Sequence, residues 1–172
     1  MKFTKEQLLE HSPCADGLAF AATCKFDFAK IWNTCERGDW LIWLLRKSGN
    51  IDKPTAVKIA IACAEHVLAS FEKKHPNVKR PRKAIEAAIE WVKNPTDENR
   101  KSADDAAYAA AYAASYAASY AAYAADAADA DAAAYAAASA ASAAAAADAD
   151  GRGVERKWQA DKIREIIPNP FL

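Results

Sequence analysis

Apolar residues recur at three- and four-residue spacings along most of this chain, which is the period of an amphipathic helix. No segment alternates apolar and β-branched residues with polar ones in the manner of a strand. The pattern therefore predicts an all-α fold, a multi-helix bundle. The expected helices are Lys5–His11, Cys14–Cys24, Phe26–Cys35, Trp40–Leu45, Thr55–Lys73, a segment opening at Lys79–Lys83, one entered after Asn94–Glu98, and Val154–Ile167.

Local signals predict where several of these helices begin and end. Thr4 and Gln7 have the spacing of a capping box, and Ser12-Pro13 resembles a cap followed by proline at the first helical position. Asp39 is expected to cap the apolar run that follows it, and Gly49 is expected to stop that helix. Because the run is apolar on all sides, we expect it to be the central helix.

Residues 103–150 are built from four residue types only: 31 Ala, seven Asp, six Tyr and four Ser. Alanine is the best helix former, and the stretch contains no glycine or proline to end a helix. Five tyrosines spaced by three or four residues, Tyr108 to Tyr123, would form one stripe along it. The stripe could fill core space or form a binding face.

A single helix through this stretch would be roughly 78 Å long at 1.5 Å per residue, well beyond the ~40 Å diameter of a compact domain of this size. We therefore expect a rod or a break, and the acidic segment Asp126–Asp131 is the expected breaking point because Asp can cap a new helix. The predicted organisation is one structural domain with a helical core at 1–95, an Ala/Tyr/Asp-rich segment at 96–150 and a C-terminal helix and tail at 151–172.

The zero net charge of the chain hides a strong asymmetry. Residues 103–150 carry seven Asp and no basic residue, whereas the remainder carries 23 Lys and Arg against 16 Asp and Glu. The acidic stretch either neutralises the basic body or meets a basic partner. Nucleic acid is not expected as a partner, because the net charge is zero.

Candidate chemistry is sparse. Cys63 and His66 lie one helical turn apart, but Cys63 falls in an apolar stripe, so a packed thiol is favoured over a nucleophile. The four cysteines lack paired zinc-ligand spacing and are expected to be buried free thiols. We therefore expect no enzyme activity, no metal and no cofactor. The N-terminus has no apolar signal core and no run is apolar enough to span a membrane, so a cytoplasmic protein is expected.

Several segments together resemble a family of bacterial and phage immunity proteins associated with polymorphic toxins. The resemblance is carried by five segments: Ala15-Asp16-Gly17, Arg37–Leu44 with the preceding Trp32 and Cys35, Arg80–Glu86, the Ala/Tyr/Asp stretch, and Lys157–Ile166. It implies a small binder that neutralises a toxin or defence factor by blocking its surface. The contacts expected in that role are Asp104, Asp105, Tyr108, Tyr112, Tyr116 and Asp126.

Two other hypotheses stay open. The small-residue face of the Ala-rich stretch would suit a structural protein that forms homo-oligomers. The basic residues Arg80, Arg82 and Lys83 would suit a module that sequesters a nucleotide or another phosphate ligand. Their ordinary role would be a solvated loop and helix start.

Overall fold

The computed structural model describes residues 3–74, 76–103 and 151–172, and every element in these ranges is a helix. The all-α prediction is thereby confirmed for this part of the chain. The predicted break near Asp126–Asp131 and the tyrosine stripe lie outside the described residues. The helices are α1 (Lys5–Glu10), α2 (Ala15–Thr23), α3 (Phe28–Thr34), α4 (Gly38–Lys47), α5 (Lys53–Lys74), α6 (Arg80–Lys93), α7 (described over 97–103) and α8 (Gly151–Ile166).

Several predicted helix ends are confirmed in atomic detail. The hydroxyl of Thr4 accepts a hydrogen bond from the Gln7 backbone N–H, and the Gln7 side chain accepts one from the Thr4 N–H, which completes the capping box of α1. Gly49 follows α4 with a φ of +71°, a left-handed conformation that glycine adopts without steric cost.

Other predicted ends were wrong. Helix α2 is capped by Cys14 rather than by Ser12, and the thiol of Cys14 lies 3.4 Å from the Gly17 backbone N–H. Helix α4 begins at Gly38, so Asp39 lies in its first turn and binds Arg37 instead of capping the helix. The last helix was predicted to begin at Val154, but Gly151–Gly153 are helical and belong to α8.

Two clusters of buried side chains hold these helices together. The larger joins α3, α4, α5, α6, α7 and α8 and includes Trp32, Leu45, Ile59, Ile85 and Ile163. The smaller joins α1, α2, α3 and α4. Helix α8 packs against α4 and α5, and α6 also packs against α5. Helix α4 contributes to both clusters, which agrees with its predicted central position.

Contacts from the C-terminal region fix α3 against the body. Arg164 of α8 donates hydrogen bonds to the backbone carbonyls of Trp32, at 2.8 Å, and of Cys35. The tail beyond α8 also contacts α3, where the Asn169 side chain donates a hydrogen bond to the backbone carbonyl of Ala29 at 3.1 Å. The bonds from Arg164 satisfy carbonyl groups at the C-terminal end of α3 that have no partner inside the helix.

Candidate functional site

An apolar cavity of about 470 Å³ lies among α1, α2, α3 and α4. Four aromatic side chains, Phe20, Phe28, Trp40 and Trp43, form much of its wall. The aliphatic side chains that line it are Leu8, Ile31, Leu41 and Leu44, together with Pro13 and Ala21. The volume falls within the roughly 300–1,000 Å³ range of small-molecule pockets.

The wall of this cavity is braced from behind by the rest of the fold. Phe28 is only 8% exposed, and its ring contacts those of Phe3 and Phe171 at centroid distances of 5.0 and 6.0 Å. On the other side, Phe20 packs against Trp40 with their centroids 5.9 Å apart. These neighbours hold the lining side chains in position.

Glycine keeps one side of the cavity open. A Cβ atom built on Gly17 would lie 3.2 Å from the sulfur of Cys14 and 3.9 Å from Cε2 of Trp40. Both of these residues line the cavity. Any larger side chain at position 17 would therefore enter the space between the thiol and the indole.

Among the described residues that line the cavity, Asp39 alone carries a charge, and it is paired with Arg37. Two parallel hydrogen bonds join them, from Nε of Arg37 to Oδ1 at 3.1 Å and from Nη2 to Oδ2 at 2.5 Å. The bond to Asp39 raises the pKa of Arg37, and the guanidinium also lies 4.3 Å from the ring centre of Trp40. The pair leaves little net charge beside the apolar wall.

The four cysteines differ in environment. Cys24, Cys35 and Cys63 are buried free thiols, as predicted, whereas Cys14 is exposed, so the prediction was wrong for that residue. Burial raises the pKa of Cys35, and it raises the pKa of Cys63 to about 12. Thiols of this kind are poor nucleophiles, because the thiolate is the reactive form.

A polar cluster between α5 and α8 contains His66, which sequence spacing had placed one helical turn from Cys63. His66 does not depend on Cys63 for a partner: its Nδ1 lies 2.8 Å from Oε2 of Glu155. The imidazole also stacks on Trp158 with ring centres 3.6 Å apart. Glu155 is 4% exposed and accepts a further hydrogen bond from Gln159 at 2.9 Å. The cluster links two helices and satisfies a buried carboxylate.

The predicted phosphate-binding residues lie in the first turn of α6. Arg82 is engaged by Glu72, with hydrogen bonds of 3.0 and 2.6 Å, and each partner shifts the pKa of the other toward the charged form. Arg80 and Lys83 are exposed. Of the three predicted residues, the middle one, Arg82, is therefore already bound by the Glu72 carboxylate.

The predicted contacts of the acidic stretch, from Asp104 to Asp126, lie outside the described residues. Sequence reasoning missed the cavity altogether, since its lining residues read as ordinary helix stripes. The closest sequence signal was the density of aromatic residues between Phe20 and Trp43.

No three His, Cys, Asp or Glu side chains in the described ranges lie together as a metal site would require. The helices in these ranges include none that is long and apolar enough to cross a bilayer.

Comparison with known proteins gives one family match. A model of a family of unknown function, DUF6931, matches residues 51–164. No curated protein and no solved structure matches the chain. The matched range includes α5 and α6 and most of α8, whereas the described residues that line the cavity all lie before residue 45. Because the match covers more than half of the sequence, the chain belongs to the DUF6931 family.

Proposed function

We propose that this protein is a non-catalytic protein-binding module of the immunity or inhibitor type, which neutralises a toxin or defence factor by covering its surface. The observation that carries the proposal is the segregation of charge along the chain. Residues 103–150 hold seven Asp and all six Tyr of the chain, without a single Lys or Arg. A stretch of this composition would steer toward basic partners and supply aromatic contacts.

The described residues support a binding role in a second way. The buried carboxyl group of Glu155 is bound by His66 and Gln159, and these contacts join α5 to α8. Burial raises the pKa of the Cys63 thiol to about 12, which keeps it in its unreactive protonated form. These groups therefore serve helix packing, which supports a role in binding rather than in catalysis.

The proposal is tested by capture and reconstitution. Full-length protein serves as bait in a lysate of a toxin-carrying or phage-infected host, and the captured protein is identified, purified and assayed for loss of its activity at stoichiometric bait. A variant with Asp104→Lys, Asp105→Lys and Asp126→Lys is expected to weaken binding by at least ~10-fold, because each reversal replaces an attraction by a repulsion.

A matched variant carries Glu10→Lys, Glu36→Lys and Glu65→Lys, at three exposed positions of the described body. It changes the net charge by the same amount, so general electrostatics alone would weaken both variants equally. The proposal fails if the two variants bind equally well, or if the reconstituted partner keeps its full activity when saturated.

Two other hypotheses give different results in the same preparation. Self-association through the Ala-rich stretch would appear as a dimer or larger species in sedimentation of the isolated protein. Nucleotide sequestration at Arg80, Arg82 and Lys83 would raise the melting temperature when nucleotides are added. The ion pair between Arg82 and Glu72 opposes the second hypothesis, because a phosphate would have to displace a carboxylate already bound by two hydrogen bonds.

A further inference from the structure

We propose that the cavity among α1–α4 is a binding site for a small, uncharged, mainly hydrophobic molecule with one or two rings. The proposal stands on different residues from the protein-binding role, since the described lining residues all belong to residues 8–44. These residues also precede the range matched by the family model.

The buried walls of the cavity favour a small molecule over a docked helix or strand. Half of the described lining residues are buried, so the space is recessed within the helical body. Leu8, Ala21 and Ile31 show that three different helices supply these buried residues. A site of about 470 Å³ with such walls removes most of the surface of a one- or two-ring ligand from water.

The charges around the cavity favour a neutral ligand. An anion would lie beside Asp39, and the nearby guanidinium of Arg37 is already held by both carboxylate oxygens. A cation would gain little from a carboxylate that Arg37 neutralises. Moving either ion from water to these walls would cost free energy, and the guanidinium of Arg37 already lies over the ring of Trp40, where a ligand cation could otherwise bind.

The ligand class sets the choice of probes. The test uses 2-naphthol, which is uncharged at neutral pH, and naphthalene-2-sulfonate, which has the same ring system and a negative charge. Calorimetric titration of the full chain is expected to show one 2-naphthol bound per protein, with the sulfonate binding at least ~10-fold more weakly. Equal affinity for the two probes would contradict the assignment of a neutral site.

Cys14 reports on where the probe binds, without a mutation. It is the exposed cysteine of the four, and it lines the cavity. Saturating 2-naphthol is expected to slow alkylation of Cys14 by iodoacetamide roughly fivefold, as located by peptide mass spectrometry, because the bound ring covers the thiol. Unchanged alkylation at saturation would overturn the proposal.

A pair of variants on one helix completes the test. Gly17→Leu fills the space beside Cys14 and Trp40 and is expected to reduce 2-naphthol affinity at least ~10-fold. Ala19→Leu adds the same side chain to an exposed position of α2 and is expected to leave affinity unchanged. Circular dichroism checks that both fold. Wild-type affinity in folded Gly17→Leu would contradict the site, and the alkylation result decides the question if that variant does not fold.

Discussion

At the scale of single residues, burial controls the chemistry of the polar groups in the described ranges. Glu155 keeps a carboxylate in a nearly closed environment because His66 and Gln159 both bind it. Cys63 is buried without such compensation, so its neutral form is the stable one and its pKa rises to about 12 from an ordinary value of 9.0. The interface of α5 and α8 therefore holds a buried carboxyl group that is bound by two partners, whereas the nearby buried thiol on α5 is kept uncharged.

This difference predicts a dependence of stability on alkaline pH. In the unfolded chain the Cys63 thiol ionises near its ordinary pKa of 9.0, whereas in the folded protein it stays protonated until about pH 12. Because the pKa is higher in the folded protein, the contribution of the buried neutral thiol to the free energy of unfolding is complete below pH 9. This contribution is lost as the pH rises toward 12. Between pH 8 and pH 10 the wild type should lose about 1.4 kcal/mol of unfolding free energy from this group.

Cys63→Ala should remove that loss, as measured by urea unfolding at the two pH values. Ile59→Val, another buried position of α5, is the control. It should lower stability by about 1 kcal/mol at both pH values, because it removes a methyl group and no titrating group. An equal pH dependence in wild type and Cys63→Ala would contradict the burial of the thiol.

At the scale of elements, close approach of two helices depends on one glycine. Gly38 at the start of α4 faces α8 so closely that an added Cβ would lie 2.6 Å from Cβ of Gln159 and 3.3 Å from the backbone nitrogen of Ala160. Neither neighbour is the far end of a flexible side chain, so the helices themselves would have to move apart. By contrast, a Cβ atom added to Gly153, in α8, would have no atom of the described residues within 4 Å.

The same substitution should therefore have opposite effects at these two glycines. Gly38→Ala is expected to lower the free energy of unfolding by about 2 kcal/mol, through overpacking of α4 against α8. Gly153→Ala is expected to raise it by about 0.5–1 kcal/mol, because alanine loses less backbone entropy than glycine in an exposed helix. Urea unfolding of the two variants checks both signs, and stabilisation by Gly38→Ala would show that the close approach is wrong.

At the scale of the whole molecule, the C-terminal tail joins parts of the body that are distant in sequence. Phe171 contacts the rings of Phe28 and Trp32, each at a centroid distance of 6.0 Å, and packs against both hydrophobic clusters. Phe28 in turn lines the cavity. The tail thereby braces the wall of the proposed ligand site, although the two are far apart in the chain.

Phe171→Ala is accordingly expected to destabilise the protein by about 2 kcal/mol, less than a fully buried phenylalanine because the ring is only partly covered. Leu172→Ala is the matched control, since Leu172 is 93% exposed, and it should change stability by less than about 0.5 kcal/mol. Both effects are measured by thermal and urea unfolding. Equal stability of the two variants would indicate that the tail does not pack as described.

The sequence by itself determined the helical class of the described part and most helix positions. Those features depend on interactions between residues three or four apart, as in the Thr4–Gln7 capping box, and on the left-handed preference of glycine at Gly49. It placed the start of α8 at Val154, whereas Gly151–Gly153 are helical, and it made Asp39 a helix cap, whereas Asp39 binds Arg37 in the first turn of α4.

Only the tertiary structure decided which helix faces meet. The bond between His66 and Glu155 joins residues 89 positions apart, and Arg164 reaches carbonyls 132 and 129 positions earlier in the chain. The cavity likewise exists because α1–α4 converge without filling the space between their aromatic side chains. Local spacing carries no information on such gaps, because they depend on how side chains from separate helices pack in three dimensions.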